Sequence, residues 1–127
     1  MMTRRIDALV AERVMGWWDC QKYANGWFGM NPHWNKGEGH QDTLPPYSTS
    51  IQAAWEVVEK MKPTHHFNLS VMTNGYIEAS FAEWIGPTLL HEAWINADED
   101  TEEMAIALAA LKAVGVTEDE IREALAA

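Results

Sequence analysis

The stretch WFGMNPHWNKGEGHQDTLPPYSTS, residues 27–50, concentrates the side chains best suited to gripping a small ligand. Trp27, Phe28, Trp34 and Tyr47 offer ring faces on which a purine or nicotinamide could stack. His33, Lys36 and His40 supply positive charge between them. Ser48, Thr49 and Ser50 add hydroxyls at the start of an expected helix, where unpaired backbone N–H groups and the positive end of the dipole favour an anion. Trp17 and Trp18, just upstream, extend the aromatic surface. Aromatic walls beside an anion-binding helix end are what a nucleotide-like anion requires, and these residues form the candidate ligand-binding set. The competing reading is a loop folded over its own aromatics, or a contact between two copies of the chain.

Other chemistry fits less well. Cys20, His33, His40, His65, His66 and His91 lack the closely spaced pairs of a structural metal site. His65 and His66 are adjacent and fall on opposite faces of any strand, so they read as ordinary polar residues and no metal is expected. Cys20 stands beside Asp19 with no activating motif, and Ser48 and Ser50 are explained as helix caps, so no nucleophile is assigned. The acidic run ADEDTEE, residues 97–103, lacks calcium-loop spacing and instead places negative charge where a helix dipole favours it. No catalytic residue and no cofactor are expected, and the chain does not read as an enzyme.

The elements that must position these residues follow from periodicity. Residues 3–15 have the spacing of a helix, with Thr3 as N-cap and Gly16 as terminator. Residues 17–23 suit a strand, turned at Asn25-Gly26 into Trp27-Phe28. From Gly29 to Pro46 the prolines and glycines speak against any regular element. Ser48 or Ser50 can cap a second helix with Ile51, Ala54, Trp55, Val58 and Met61 on its buried face, ended by Pro63. A hairpin through Asn74-Gly75 and a third strand at 89–95 follow. Asp100 with Glu103 opens a helix carrying Met104, Leu108 and Leu111 on one face, closed by Gly115, and Thr117 with Glu120 opens a last one. The expected class is α+β: one domain spanning residues 1–127, with a small, mainly antiparallel sheet packed with helices as an α/β/α-type sandwich.

Composition narrows the function. The net charge of −10 lies wholly in residues 63–127, which hold Lys112 and Arg122 against twelve acids, while residues 1–62 are balanced. Duplex binding needs dense basic surface, so no nucleic-acid partner is expected. The apolar run MAIALAALKAVGV is too short and interrupted to span a bilayer, and acids at Asp7 and Glu12 spoil a signal peptide, so no membrane partner is expected. A single cysteine fits a reducing cytoplasm. Seven tryptophans exceed what so short a chain can bury, and adjacent Trp17 and Trp18 cannot both face the core of a strand, so a homo-oligomer is expected.

Three segments resemble one family. PYSTSIQAAWEVVEKMK (46–62) is similar to the second helix of the phage ABA sandwich domain family, DTEEMAIALAALKAVG (100–115) to its C-terminal helix, and IDALVAERVMGW (6–17) to its opening helix, in the same order. The stretch 27–44 is longer than the family pattern. The resemblance implies a phage or prophage origin and helix–sheet–helix layering, and it carries no catalytic residue. Small phage proteins of this size include sponges that sequester nucleotide signals of bacterial immunity, an analogy of size and origin. The expectation is a non-enzymatic, phage-encoded binding protein acting in the host cell cytoplasm as an anti-defence sponge. The alternative is an accessory protein that binds a host protein through its acidic, Trp-rich surface.

Overall fold

The computed structural model describes residues 3–32, 39–83 and 95–126. Its elements are α1 (Thr3–Arg13), β1 (Trp18–Tyr23), β2 (Gly26–Asn31), β3 (His40–Thr43), α2 (Ile51–Met61), β4 (His65–Val71), β5 (Ile77–Glu83), β6 (Ile95–Glu99), α3 (Glu102–Ala113) and α4 (Glu118–Ala126). Residues 105–111, AIALAAL, contain no polar side chain, so a helix built from them has no face to offer water. They form the middle of α3, and each of them is buried. The alanines allow close approach, and α3 packs against β5, β6, α1 and α2. The core is built around this helix. The fold is α+β, as expected.

One sheet was expected and two are present, each three-stranded and antiparallel, in the orders β1-β2-β3 and β4-β5-β6. The second is regular: β4 and β5 pair over seven residues without a break, from His65↔Glu83 to Val71↔Ile77. His65 and His66 alternate as anticipated, with the His65 ring edge-on to Phe81 at 6.4 Å on the face toward α3. The expected strand at 89–95 is met only at its end, since β6 starts at Ile95 and residues 84–94 lie outside the described residues.

The first sheet corrects the reading of 29–46 as irregular. β2 runs on through Gly29 to Asn31, and β3 pairs with it from Asn31↔His40 to Phe28↔Thr43. Pro32 directly follows β2, and Pro45 lies two residues beyond β3, so the prolines bound these strands and do not interrupt them. β3, HQDT, has no apolar alternation, and only its partner strand makes it a strand.

Caps and faces also differ in detail. Thr3 is the first helical residue of α1 and not its cap. Ser50 caps α2, its hydroxyl accepting from the Ala53 N–H, and Thr101, not Asp100, caps α3 by accepting from the Met104 N–H. The Thr117 hydroxyl accepts from the Glu120 N–H as anticipated. Trp55 was expected in the core and is instead 44% exposed, with Ile51 at 40%. The buried face of α2 is Ala53, Ala54, Val57, Val58 and Met61, because small residues fit against alanine-rich α3. The Trp55 indole lies at the flank, edge-on to Phe67 of β4 at 5.8 Å.

Candidate functional site

The Ser48–Ser50 segment leading into α2, expected to greet an anionic ligand, is engaged at its first residue by a carboxylate of the chain itself. Asp7 of α1 is fully buried. Its Oδ1 accepts from the Ser48 backbone N–H at 2.8 Å, and its Oδ2 pairs with Arg4 Nη1 at 2.8 Å. Arg4 also donates through Nη2 to the Leu44 carbonyl, so the pair ties residues 44–48 onto α1. The N–H groups of Thr49 and Ser50 donate to the Pro46 carbonyl. Tyr47 and Ser48 are buried beside this clasp, and burial, reinforced by Glu56, pushes the Tyr47 phenol well above its usual range. The tyrosine ring is therefore core and not a stacking platform.

The open space lies on another face of the same helix. Arg5, Ala8, Leu9, Glu12 and Arg13 recur at helical spacing and line one wall of a cleft of about 610 Å³. Cys20, Gln21 and Lys22 of β1 and Trp27 of β2 form the second wall, and Glu120, Glu123 and Ala124 of α4 the third. The volume falls within the range of about 300–1,000 Å³ typical of small-molecule sites. Lys22 and Trp27 are register partners across β1 and β2, which sets an ammonium beside an indole on the same face.

A bulge shapes this wall. Trp18 pairs with Met30 but Gln21 pairs with Phe28, so Asp19 and Cys20 together oppose Gly29. Asp19 takes a left-handed φ of 54°, tolerable for an aspartate. Gly29 is obligatory for space: a Cβ there would lie 2.5 Å from Cys20 Sγ and 3.0 Å from the Trp17 ring. Cys20 thus packs with its Sγ over Gly29 while bordering the cleft.

The cleft balances Arg5, Arg13 and Lys22 against Glu12, Glu120 and Glu123. Arg13 Nη2 lies 3.6 Å from Glu120 Oε1, bridging α1 to α4. Burial raises the Glu12 carboxyl above its ordinary value; Arg13 opposes the rise and Asp19 adds to it. Burial, with Glu12 and Asp19 nearby, pushes the Cys20 thiol up to about 12. At neutral pH it is a protonated thiol, a poor nucleophile. The arrangement suits holding a ligand with a flat ring and an anionic group.

Of the sequence-derived set, Trp27 alone among the described residues lines this cleft. Trp17 is buried in the core, whereas Trp18 is 41% exposed and close enough to Gly39 that no Cβ would fit there. Phe28 is half-buried and edge-on to Tyr23 at 5.9 Å. His40 is exposed on β3, Thr49 is exposed, and Ser50 is the α2 cap. His33, Trp34 and Lys36 lie outside the described residues. Arg5, Glu12, Arg13 and Lys22 were not anticipated. For Arg5 and Glu12 the sequence signal was the polar stripe on α1, away from the Ile6 and Val10 that fill the core; Lys22, on β1, had none.

Comparison with known proteins adds a family and a fold. The sequence model of the phage ABA sandwich domain matches residues 8–111. A phage protein from Bacillus cereus ATCC 14579, with a crystal structure at 2.0 Å, superposes with a TM-score of 0.62 at 20% identity, covering 89% of this chain and 92% of that one. At that identity the likeness is one of fold. No curated protein matches the chain.

Proposed function

This chain belongs to the phage ABA sandwich domain family, and on that footing we propose that it is a non-enzymatic phage protein that sequesters a small nucleotide-like anion in the host cytoplasm. The observation that carries the reading is the cleft between α1, the β1–β2 hairpin and α4, where Trp27 stands beside Lys22 and across from Arg5. An indole face suits a base, and the cations suit a phosphate. The seat moves from the Ser48–Ser50 segment, where Asp7 engages the Ser48 N–H, to this cleft. Among the described residues no helix is long and apolar enough to cross a membrane.

Thermal unfolding against a panel of linear and cyclic nucleotides tests this directly. A ligand that binds only the folded chain stabilises it by roughly 2.7 kcal/mol at a hundred times its dissociation constant. In a domain of this size that is a shift of several degrees. The Arg5→Ala/Lys22→Ala pair should abolish the shift while leaving the unliganded unfolding temperature nearly unchanged, since both side chains are exposed. The compound should be recovered intact. A cleaved product would restore an enzymatic reading, and no shift across the panel would favour the host-protein reading.

A further inference from the structure

Sheet edges expose unpaired backbone N–H and C=O groups, and proteins blunt them with charge, bulges, proline or short length. The two sheets present four edge strands among the described residues, and three of them are blunted in these ways. β1 carries Asp19, Lys22 and the bulge, β3 has four residues including Asp42, and β6 ends in Asp98-Glu99. β4, HHFNLSV, has none of these devices. It is also the longest of the four and pairs with β5 without interruption.

The apolar surface points to the same place. Of the seven exposed large apolar side chains among the described residues, five lie on or beside β4. Val71 is within it, Met72 and Tyr76 are in the turn that follows, and Ile51 and Trp55 sit one turn apart on α2. Trp55 reaches the strand through its contact with Phe67.

We propose that β4 is a homodimer interface, pairing antiparallel with β4 of a second copy about a two-fold axis at Asn68 to make one six-stranded sheet. The strand is self-complementary in this register. The axis keeps each face of the sheet on its own side, so Phe67 meets Leu69 of the second copy and Val71 meets its His65, all on the face toward α3. On the other face His66 meets Ser70 and Asn68 meets its own copy. Phe67 falls opposite apolar Leu69, His66 and Asn68 fall opposite polar Ser70 and Asn68, Val71 meets the His65 ring, and no two like charges are brought opposite each other. The two α2 helices then flank the axis on one face, where Trp55 and Ile51 can be covered.

Sedimentation velocity of the full chain should show a dimer. Asn68 is exposed, so Asn68→Lys leaves the fold intact by circular dichroism while setting two ammonium groups face to face, and it should sediment as a monomer. In a Cys20→Ser background, Asn68→Cys should form a disulfide-linked dimer on mild oxidation. Opposed residues in an antiparallel pair lie about 4.5–5.5 Å apart at Cα, within disulfide reach. Thr73→Cys, exposed in the turn, should not cross-link. A monomeric parent chain overturns the proposal and leaves the edge for a foreign strand. A dimer that persists in Asn68→Lys also overturns it, placing the interface elsewhere.

Discussion

Asp7 and Glu12 stand five residues apart on α1, yet the fold uses the two carboxylates in opposite ways. Asp7 is fully buried and bonded on both oxygens, to Arg4 and to the Ser48 N–H, so its charge holds the chain to itself. Glu12 faces the cleft, exposed, with Arg13 beside it and open volume in front. Five residues are about 140° of helix rotation, enough to move from the face toward the core to the face toward α4. Residue type does not separate a structural anion from one that borders a binding space. Surroundings do: Asp7 is committed to Arg4 and to the turn before α2, while Glu12 borders open volume.

The contrast is sharpest under substitution. Asp7→Ala strands part of the Arg4 charge and the buried Ser48 N–H, and should cost about 3–5 kcal/mol in urea unfolding. A nearly neutral change would show that this clasp does not hold the turn before α2 onto α1. On the cleft side, Gly29→Ala forces a Cβ against Cys20 Sγ and the Trp17 ring and should cost about 1–3 kcal/mol. Adding Cys20→Ala should recover much of that loss, because the two sites share one contact. Additive losses would mean the bulge does not depend on this packing.

Glu12→Gln gives the smallest effect, and its sign is set by pH. The folded carboxyl holds its proton more tightly than the unfolded chain, whose ordinary value is 4.5. Below 4.5 both states are protonated and the group contributes nothing. As pH rises from 4.5 through the raised folded value, the unfolded chain ionises first and stability falls; above that window the deficit is constant. Glu12→Gln should therefore unfold at a slightly higher temperature than the parent at pH 7, with the gap closing by pH 4. Solvent screening keeps the gap small. A gap that widens on acidification would show that Glu12 is stabilised as a charge.

Much of the framework was legible. The helix through Ala113 was expected with Met104, Leu108 and Leu111 on one face, and Asn74-Gly75 between alternating strands was expected as a tight turn, where Gly75 takes φ 88°. Gly16 and Gly115, at φ 82° and 93°, lie where helices were expected to end. The adjacent tryptophans divided as argued, Trp17 inward and Trp18 outward. The candidate site was far less legible. Trp27 was anticipated as ligand-facing, but its neighbours in the cleft come from α1 and α4, about a hundred residues apart in sequence. Trp55 misled because a helical stripe shows which residues share a face, not how wide an arc the partner covers.

The sequence by itself determined the α+β class, nearly every helix boundary and the regular β4–β5 hairpin, because capping, turn chemistry and periodicity act over a few residues. It also carried the family resemblance that the match over residues 8–111 bears out. Only the tertiary structure decided that HQDT is a strand, that Asp7 clasps the turn before α2, and that Arg5, Lys22 and Trp27 border one cleft. Each of these depends on which distant segment supplies the opposing hydrogen bond, charge or wall. Such a choice is settled by packing of the whole chain around α3, and no local pattern encodes it.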